Sequence, residues 1–206
     1  MDFFETVALR YQYLLDKTGT NSASIPIDDP KVIAIFRECN TDGIPEFHTD
    51  FAKKVLKIGR PNTFNDLMKV YGLTHGTGVW KDNAEILLKN NICTLQEIII
   101  SKEDVYQFLI NIGINDKTAC ETAEKVQNGT IAKTGDTAWL AALQAQYRLP
   151  SWWIDSISKI WYMYPLTKTI DHVQTALRLA WFKVYYPDAF SVSNTIDKNT
   201  EEKLWL

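Results

Sequence analysis

The stretch Tyr71-Gly-Leu-Thr-His-Gly-Thr-Gly-Val-Trp-Lys-Asp-Asn83 sets Gly72, Gly76 and Gly78 around one histidine and two threonines, in a chain that has helical spacing on both sides. Glycine reaches backbone angles that other residues resist, so the segment breaks the helical period without starting a strand. The chain is therefore expected to be all-α, with one glycine loop in its middle. That loop can bring its amides and the side chains of Thr74, His75 and Thr77 close to an anion such as a phosphate. The plainer alternative is a glycine-punctuated connection between two helices.

Working outward, Thr63 caps a helix over 64–73 that runs into the loop. Before it, a helix over about 49–58 carries Phe51, Val55 and Leu56 as its apolar stripe, with Lys53, Lys54 and Lys57 on the other face and Arg60 just beyond. Asp28 and Asp29 ahead of Pro30 open a helix to about 39, because an acidic cap followed by proline satisfies the helix start. Residues 2–16 form the first helix, with Phe3, Val7, Tyr11, Leu14 and Leu15 near helical spacing. Downstream, 84–89 is short, and Thr94-Leu-Gln-Glu97 is a capping box. Ser101-Lys-Glu-Asp104 is a second, opening a helix to 112. Asn115 or Asp116 caps a helix to about 127, closed by Asn128-Gly129.

From about Thr137 the helices lengthen to 138–147, 151–162 and 167–186, with Pro187 as the stop. Trp152, Ile157 and Ile160 share one side, and Val173, Ala176, Leu177, Ala180 and Val184 share one face of the longest helix. The sum is about ten short-to-medium helices. No alternating strand, fixed-period repeat or low-complexity tract interrupts them. A composition change near Gly129–Gly135 divides the chain into 1–130, holding the loop 71–83, and a Trp-rich 131–206. The tail from Asn194 ends on Leu204, Trp205 and Leu206, which are expected to dock back on the core, the alternative being a short linear motif for a partner.

At 206 residues, 46% hydrophobic and 23% charged, the chain is an ordinary globular length and composition. A net charge of −3 argues against a free-standing, sequence-independent DNA binder, which needs clustered lysine and arginine. Cys39, Cys93 and Cys120 are widely spaced and form neither a disulfide framework nor a zinc pattern. No run approaches the roughly 18 apolar residues of a membrane span, and no signal sequence is evident, so a cytoplasmic location is expected.

No carboxylate pair sits on a strand end in the manner of a two-metal site. His48, His75 and His172 lack metalloprotease spacing, and neither a nucleophile elbow nor a phosphate-binding P-loop is present. A self-contained enzyme is not indicated.

Taken in order, Ile25-Pro-Ile-Asp-Asp-Pro-Lys-Val32, Gly43-Ile-Pro-Glu-Phe47, Pro61-Asn-Thr-Phe64, Gly72-Leu-Thr-His-Gly-Thr77 and Val79-Trp80 resemble the fingers region of the PolC-type bacterial DNA polymerase III alpha subunit. Thr94-Leu-Gln-Glu97, Leu149-Pro-Ser-Trp-Trp153, Ile160-Trp-Tyr-Met-Tyr-Pro165 and Arg178-Leu-Ala-Trp-Phe-Lys-Val-Tyr-Tyr-Pro187 continue the likeness over roughly 7–190. The resemblance implies an all-helical fingers module that closes on incoming nucleotide and template, while a separate palm supplies metal-binding aspartates. Mg²⁺ is then expected only in a palm that is not in this chain, and the chain alone should not polymerise. DNA and deoxynucleoside triphosphate are the implied ligands, and a palm or another replication protein the implied partner.

The departures fall where ligands would bind. Gly78 replaces the acid of a Gly-Thr-Asp-Val-Trp word, and Lys102-Glu-Asp104 replaces Arg-Asp-Asp. Leu166-Thr-Lys-Thr-Ile-Asp-His172 replaces Lys-Ala-His-Ala-Ala-Ala-Tyr, with Lys168 and His172 available to compensate. The candidate contacts are Thr74, His75 and Thr77, with Lys53, Lys54, Lys102 and Lys168 as charge partners. The alternative is a diverged stand-alone fingers homologue that binds and regulates a replication component.

Overall fold

The structure, a computed structural model, describes residues 3–135 and 137–196. The apolar end of the tail lies outside the described residues. The first half contains α1 (Phe3–Thr18), α2 (Pro30–Arg37), α3 (Asp50–Gly59), α4 (Phe64–His75), α5 (Glu85–Lys89) and α6 (Lys102–Asn111). The second contains α7 (Asp116–Gln127), α8 (Thr130–Thr134), α9 (Ala138–Tyr147), α10 (Ser151–Lys159), α11 (Leu166–Tyr185) and α12 (Pro187–Ser193). Among the described residues the fold is all-α, and extended pairing is limited to one antiparallel bridge between Thr77 and Tyr162.

The helix starts follow side-chain chemistry. Asp29 accepts from the Lys31 amide at 2.8 Å, with Pro30 in the first turn. Thr49 accepts from Ala52, Thr63 from Asp66 and Asn115 from Thr118, at 3.1, 3.1 and 3.0 Å. Ser101 and Asp104 close a reciprocal box at 3.1 and 3.3 Å. Each such cap contributes about 1 kcal/mol.

Two ends differ from the sequence expectation. α10 stops at Lys159 rather than at Tyr162, because the Trp161 and Tyr162 amides turn to the Thr77 carbonyl at 2.9 and 3.2 Å. Pro187 stops α11 at Tyr185 as expected, but it also opens α12, which was not expected and where its missing N–H costs nothing.

One continuous cluster of buried apolar side chains runs from Val7 to Phe190, with Phe36, Phe47, Tyr71, Trp153 and Phe182 as its largest fully buried members. Each fully buried large side chain contributes roughly 1.5–3 kcal/mol. α11 packs on α2, α4 and α12, and α10 packs on α8 and the turn after the glycine loop. Helices on both sides of residue 130 therefore share that cluster. Val173, Ala176, Leu177 and Ala180 are buried along α11 as their spacing requires. On α3, Val55 and Leu56 are buried, but Phe51 stays 43% exposed.

Candidate nucleotide and nucleic-acid interface

The glycine loop is held on both sides. The Thr77 amide donates to Tyr162 O at 2.9 Å. Buried Asn83 donates from Nδ2 to Gly78 O at 2.8 Å and to Ser156 O at 3.0 Å, and Lys159 Nζ reaches Asp82 O at 2.8 Å. The Gly76 amide donates to Gly72 O at 3.0 Å, so two of the loop amides are already spent within the fold. The loop also follows the C-terminus of α4, where the helix dipole favours cations over anions.

Thr74 and His75 face a cluster, not open solvent. Thr74 Oγ1 donates to Tyr71 O at 2.8 Å and lies 2.9 Å from His75 Nδ1. His75 Nε2 lies 3.1 Å from Glu46 Oε2, and its ring stacks on Tyr71 with centroids 3.9 Å apart. His172 of α11 also stacks on Tyr71, at 5.4 Å, while Tyr164 meets Tyr71 edge-on at 5.5 Å. Tyr164 Oη is 3.3 Å from His172 Nε2. The hydrogen bond with His75 holds the Glu46 carboxyl below its usual range. Burial pushes the Tyr71 phenol up, helped by the Glu46 carboxylate, and pushes the His172 imidazole down.

This cluster ties the end of α4 to the start of α11. The first intrahelical bond of α11 runs from the Thr169 amide to Pro165 O at 3.0 Å, and no side chain caps this end. The amides of Leu166, Thr167 and Lys168 then lie ahead of the ladder at the positive end of a 20-residue helix. Lys168 lies one turn before His172 on the same face and adds its charge there. Asp171, exposed beside His172, opposes it.

The other candidates are dispersed. Thr77 lines a separate cleft of about 400 Å³ with Phe51, Lys54, Leu73, Gly76, Gly78, Trp80, Lys81 and Glu85. Lys54 is paired with Glu85 at 2.8 Å, and Lys53 is paired with Asp42 at 2.6 Å. Lys102 is exposed at the first position of α6. The structure thus joins Thr74 and His75 to the α11 start bearing Lys168, joins Thr77 to Lys54, and leaves Lys53 and Lys102 elsewhere. Sequence reading missed Glu46, Tyr71 and Tyr164 as site residues. The four-residue step from Tyr71 to His75 could have flagged that pair, whereas nothing local announces Glu46, whose backbone adopts φ 66°.

Among the described residues, no group of three or more His, Cys, Asp or Glu is placed to hold a metal ion, and no helix is long and apolar enough to cross a membrane. An all-α scaffold whose glycine loop is bridged to the start of its longest helix is the setting for the family match. The finger domain of the bacterial DNA polymerase III alpha subunit matches residues 6–127, and the chain belongs to that family. Over 191 residues it is 36% identical to the DNA polymerase III PolC-type of Caldanaerobacter subterraneus subsp. tengcongensis, covering 86% of this chain and 13% of that protein. To the PolC-type enzyme of Lacticaseibacillus paracasei it is 38% identical over 188 residues, covering 84% of this chain and 13% of the relative. To that of Bacillus subtilis the identity is 36% over 187 residues, with the same coverages of 84% and 13%. The chain therefore spans 13% of the length of these curated relatives.

Proposed function

We propose that this chain serves as the fingers of a PolC-type replicative polymerase, contributing nucleotide and DNA contacts without polymerising alone. The observation that carries the nucleotide part is the uncapped start of α11, whose leading amides stand beside Lys168 and next to the His172–Tyr71–His75 stack. Aligned amides and a lysine suit a triphosphate better than the glycine loop does, because the loop sits at a helix C-terminus. The stacked rings hold that helix against α4. They also offer aromatic surface near the phosphates. In this reading the carboxylates that hold Mg²⁺ for nucleotidyl transfer come from a separate palm, and no catalytic step is assigned to this chain.

Equilibrium titration with a deoxynucleoside triphosphate tests this reading. Lys168→Ala should weaken binding by about ten- to a hundredfold, the effect of losing one charge-assisted contact of about 1.5–3 kcal/mol. Unchanged affinity would remove the site.

One observation favours the second reading, a stand-alone homologue that binds a replication component. Leu166, where the resemblance has a lysine, lines a cleft of about 330 Å³ with Asp66, Glu103, Asp104 and Lys69. If wild-type chain binds no triphosphate at millimolar concentration but captures a palm-bearing polymerase subunit, that reading prevails.

A further inference from the structure

Glu46 reaches the ring cluster from a segment that the fold grips firmly. Its two neighbours, Pro45 and Phe47, are buried, and the hydroxyl of buried Thr41 donates to Phe47 O at 2.6 Å. The Gly43 carbonyl accepts from Arg10 Nη2 of α1 at 2.9 Å, and the Asp42 carbonyl accepts from Lys183 Nζ of α11 at 3.0 Å. Within this frame Glu46 takes φ 66°, a left-handed backbone that glycine adopts freely and glutamate only under strain. The carboxylate is what glutamate adds there. Its Oε2 stands 3.1 Å from His75 Nε2, while Nδ1 on the other edge of the ring lies 3.0 Å from Tyr71 O. Held at both edges, the imidazole keeps its plane 8° from that of Tyr71, and Tyr71 lies at 8° to His172. His172 is one turn beyond Lys168 on α11. A line of contacts thus runs from Glu46 through three near-parallel rings to the helix start.

On charge alone Glu46 is out of place. Burial acts most strongly on the His172 imidazole and lowers it, and of the nearby charges Glu46 raises it while Lys168 lowers it. A carboxylate within reach of that ring also repels an anion at the α11 start. Its presence there is explained if the bond it makes to His75 matters more than the charge it brings.

We propose that Glu46 is a positioning residue for the triphosphate site: by bonding His75 it fixes the ring stack that sets where the start of α11 and Lys168 stand. This rests on the nucleotide reading of the α11 start, and Glu46 itself touches no ligand. Equilibrium titration of the full chain with a deoxynucleoside triphosphate tests it in wild type and three variants. Glu46→Gly suits φ 66° and removes the carboxylate, so the chain should still melt cooperatively. Glu46→Asn tolerates the same backbone with a side chain one carbon shorter, and is an independent way to break the bond. Both should weaken triphosphate binding by about three- to tenfold, the effect of losing one hydrogen bond. Glu46→Gln keeps an acceptor for His75 without the charge, and should hold affinity within about twofold. Simple charge repulsion predicts the opposite sign for Glu46→Gly and Glu46→Asn. Equal or tighter binding in both would overturn the inference and leave the α11 site standing. So would a loss in Glu46→Gln as large as in Glu46→Gly, which would show that the charge and not the bond is used. The His172 ring protons, read by NMR in the free chain, should move in Glu46→Gly and Glu46→Asn, and their staying fixed would overturn the inference even if affinity fell. Absence of binding by wild type at millimolar triphosphate would remove the site and the inference together.

Discussion

At Gly78 the backbone takes φ 76°, and a Cβ there would lie 2.0 Å from the Lys159 carbonyl oxygen. The acid that the resembling word carries at this point therefore cannot be accommodated in the present loop without moving α10. Gly78→Asp should destabilise the chain by about 1–3 kcal/mol from backbone strain, with the clash added, read as a lower urea midpoint. An unchanged midpoint would show that the loop refolds freely. His172 gives a second residue-scale test. Its folded pKa is depressed by burial, so the folded state binds fewer protons than the unfolded one. Stability is then complete above the ordinary histidine value of 6.5 and is lost as pH falls through the lower folded value. Glu46, held below the ordinary 4.5, adds its loss only in stronger acid. The melting temperature should fall between pH 7 and 5, and His172→Tyr should flatten that slope. An identical slope in the variant would place the titration elsewhere. Gly78 was legible as a departure in the sequence, and the reason for it was not, because the Lys159 carbonyl is distant in sequence.

The elements were the most legible scale. Asp29, Thr63, Ser101 and Asn115 announce helix starts through local hydrogen bonds, and each cap forms in the structure. The end of α10 and the opening of α12 were not legible, since the first depends on Thr77, far along the chain, and the second on which side of a proline helix resumes. The same limit applied to the site: the sequence set the glycine loop after a helix and offered it to an anion or as a plain connection, whereas the pairing that spends the Thr77 amide on Tyr162 O follows only from tertiary structure. Asn83 fastens this loop to α10. Asn83→Ala leaves the Gly78 and Ser156 carbonyls without that donor and should cost about 1–3 kcal/mol. Hydrogen exchange should quicken at the Thr77 and Tyr162 amides while the α7 amides keep their protection. Uniform loss of protection would mean that Asn83 supports the whole fold and not the loop.

Over the whole molecule, one buried cluster runs through helices from both ends of the chain, and α11 brings its start to the end of α4 while its length packs on α2 and α12. The His75–Tyr71–His172 stack is therefore a consequence of the global fold and not of any local motif. Family membership was legible in the ordered words of the sequence, because those words occupy the caps and core that the fold needs. We propose that the start of α11 presents amides and a lysine to a nucleotide beside that stack. Backbone amide NMR of the full chain during titration with a deoxynucleoside triphosphate measures it most directly. The account predicts saturable shifts concentrated at Leu166, Thr167 and Lys168 and extending to His75 and His172. Shifts confined to other helices, or no shifts at millimolar triphosphate, would contradict it.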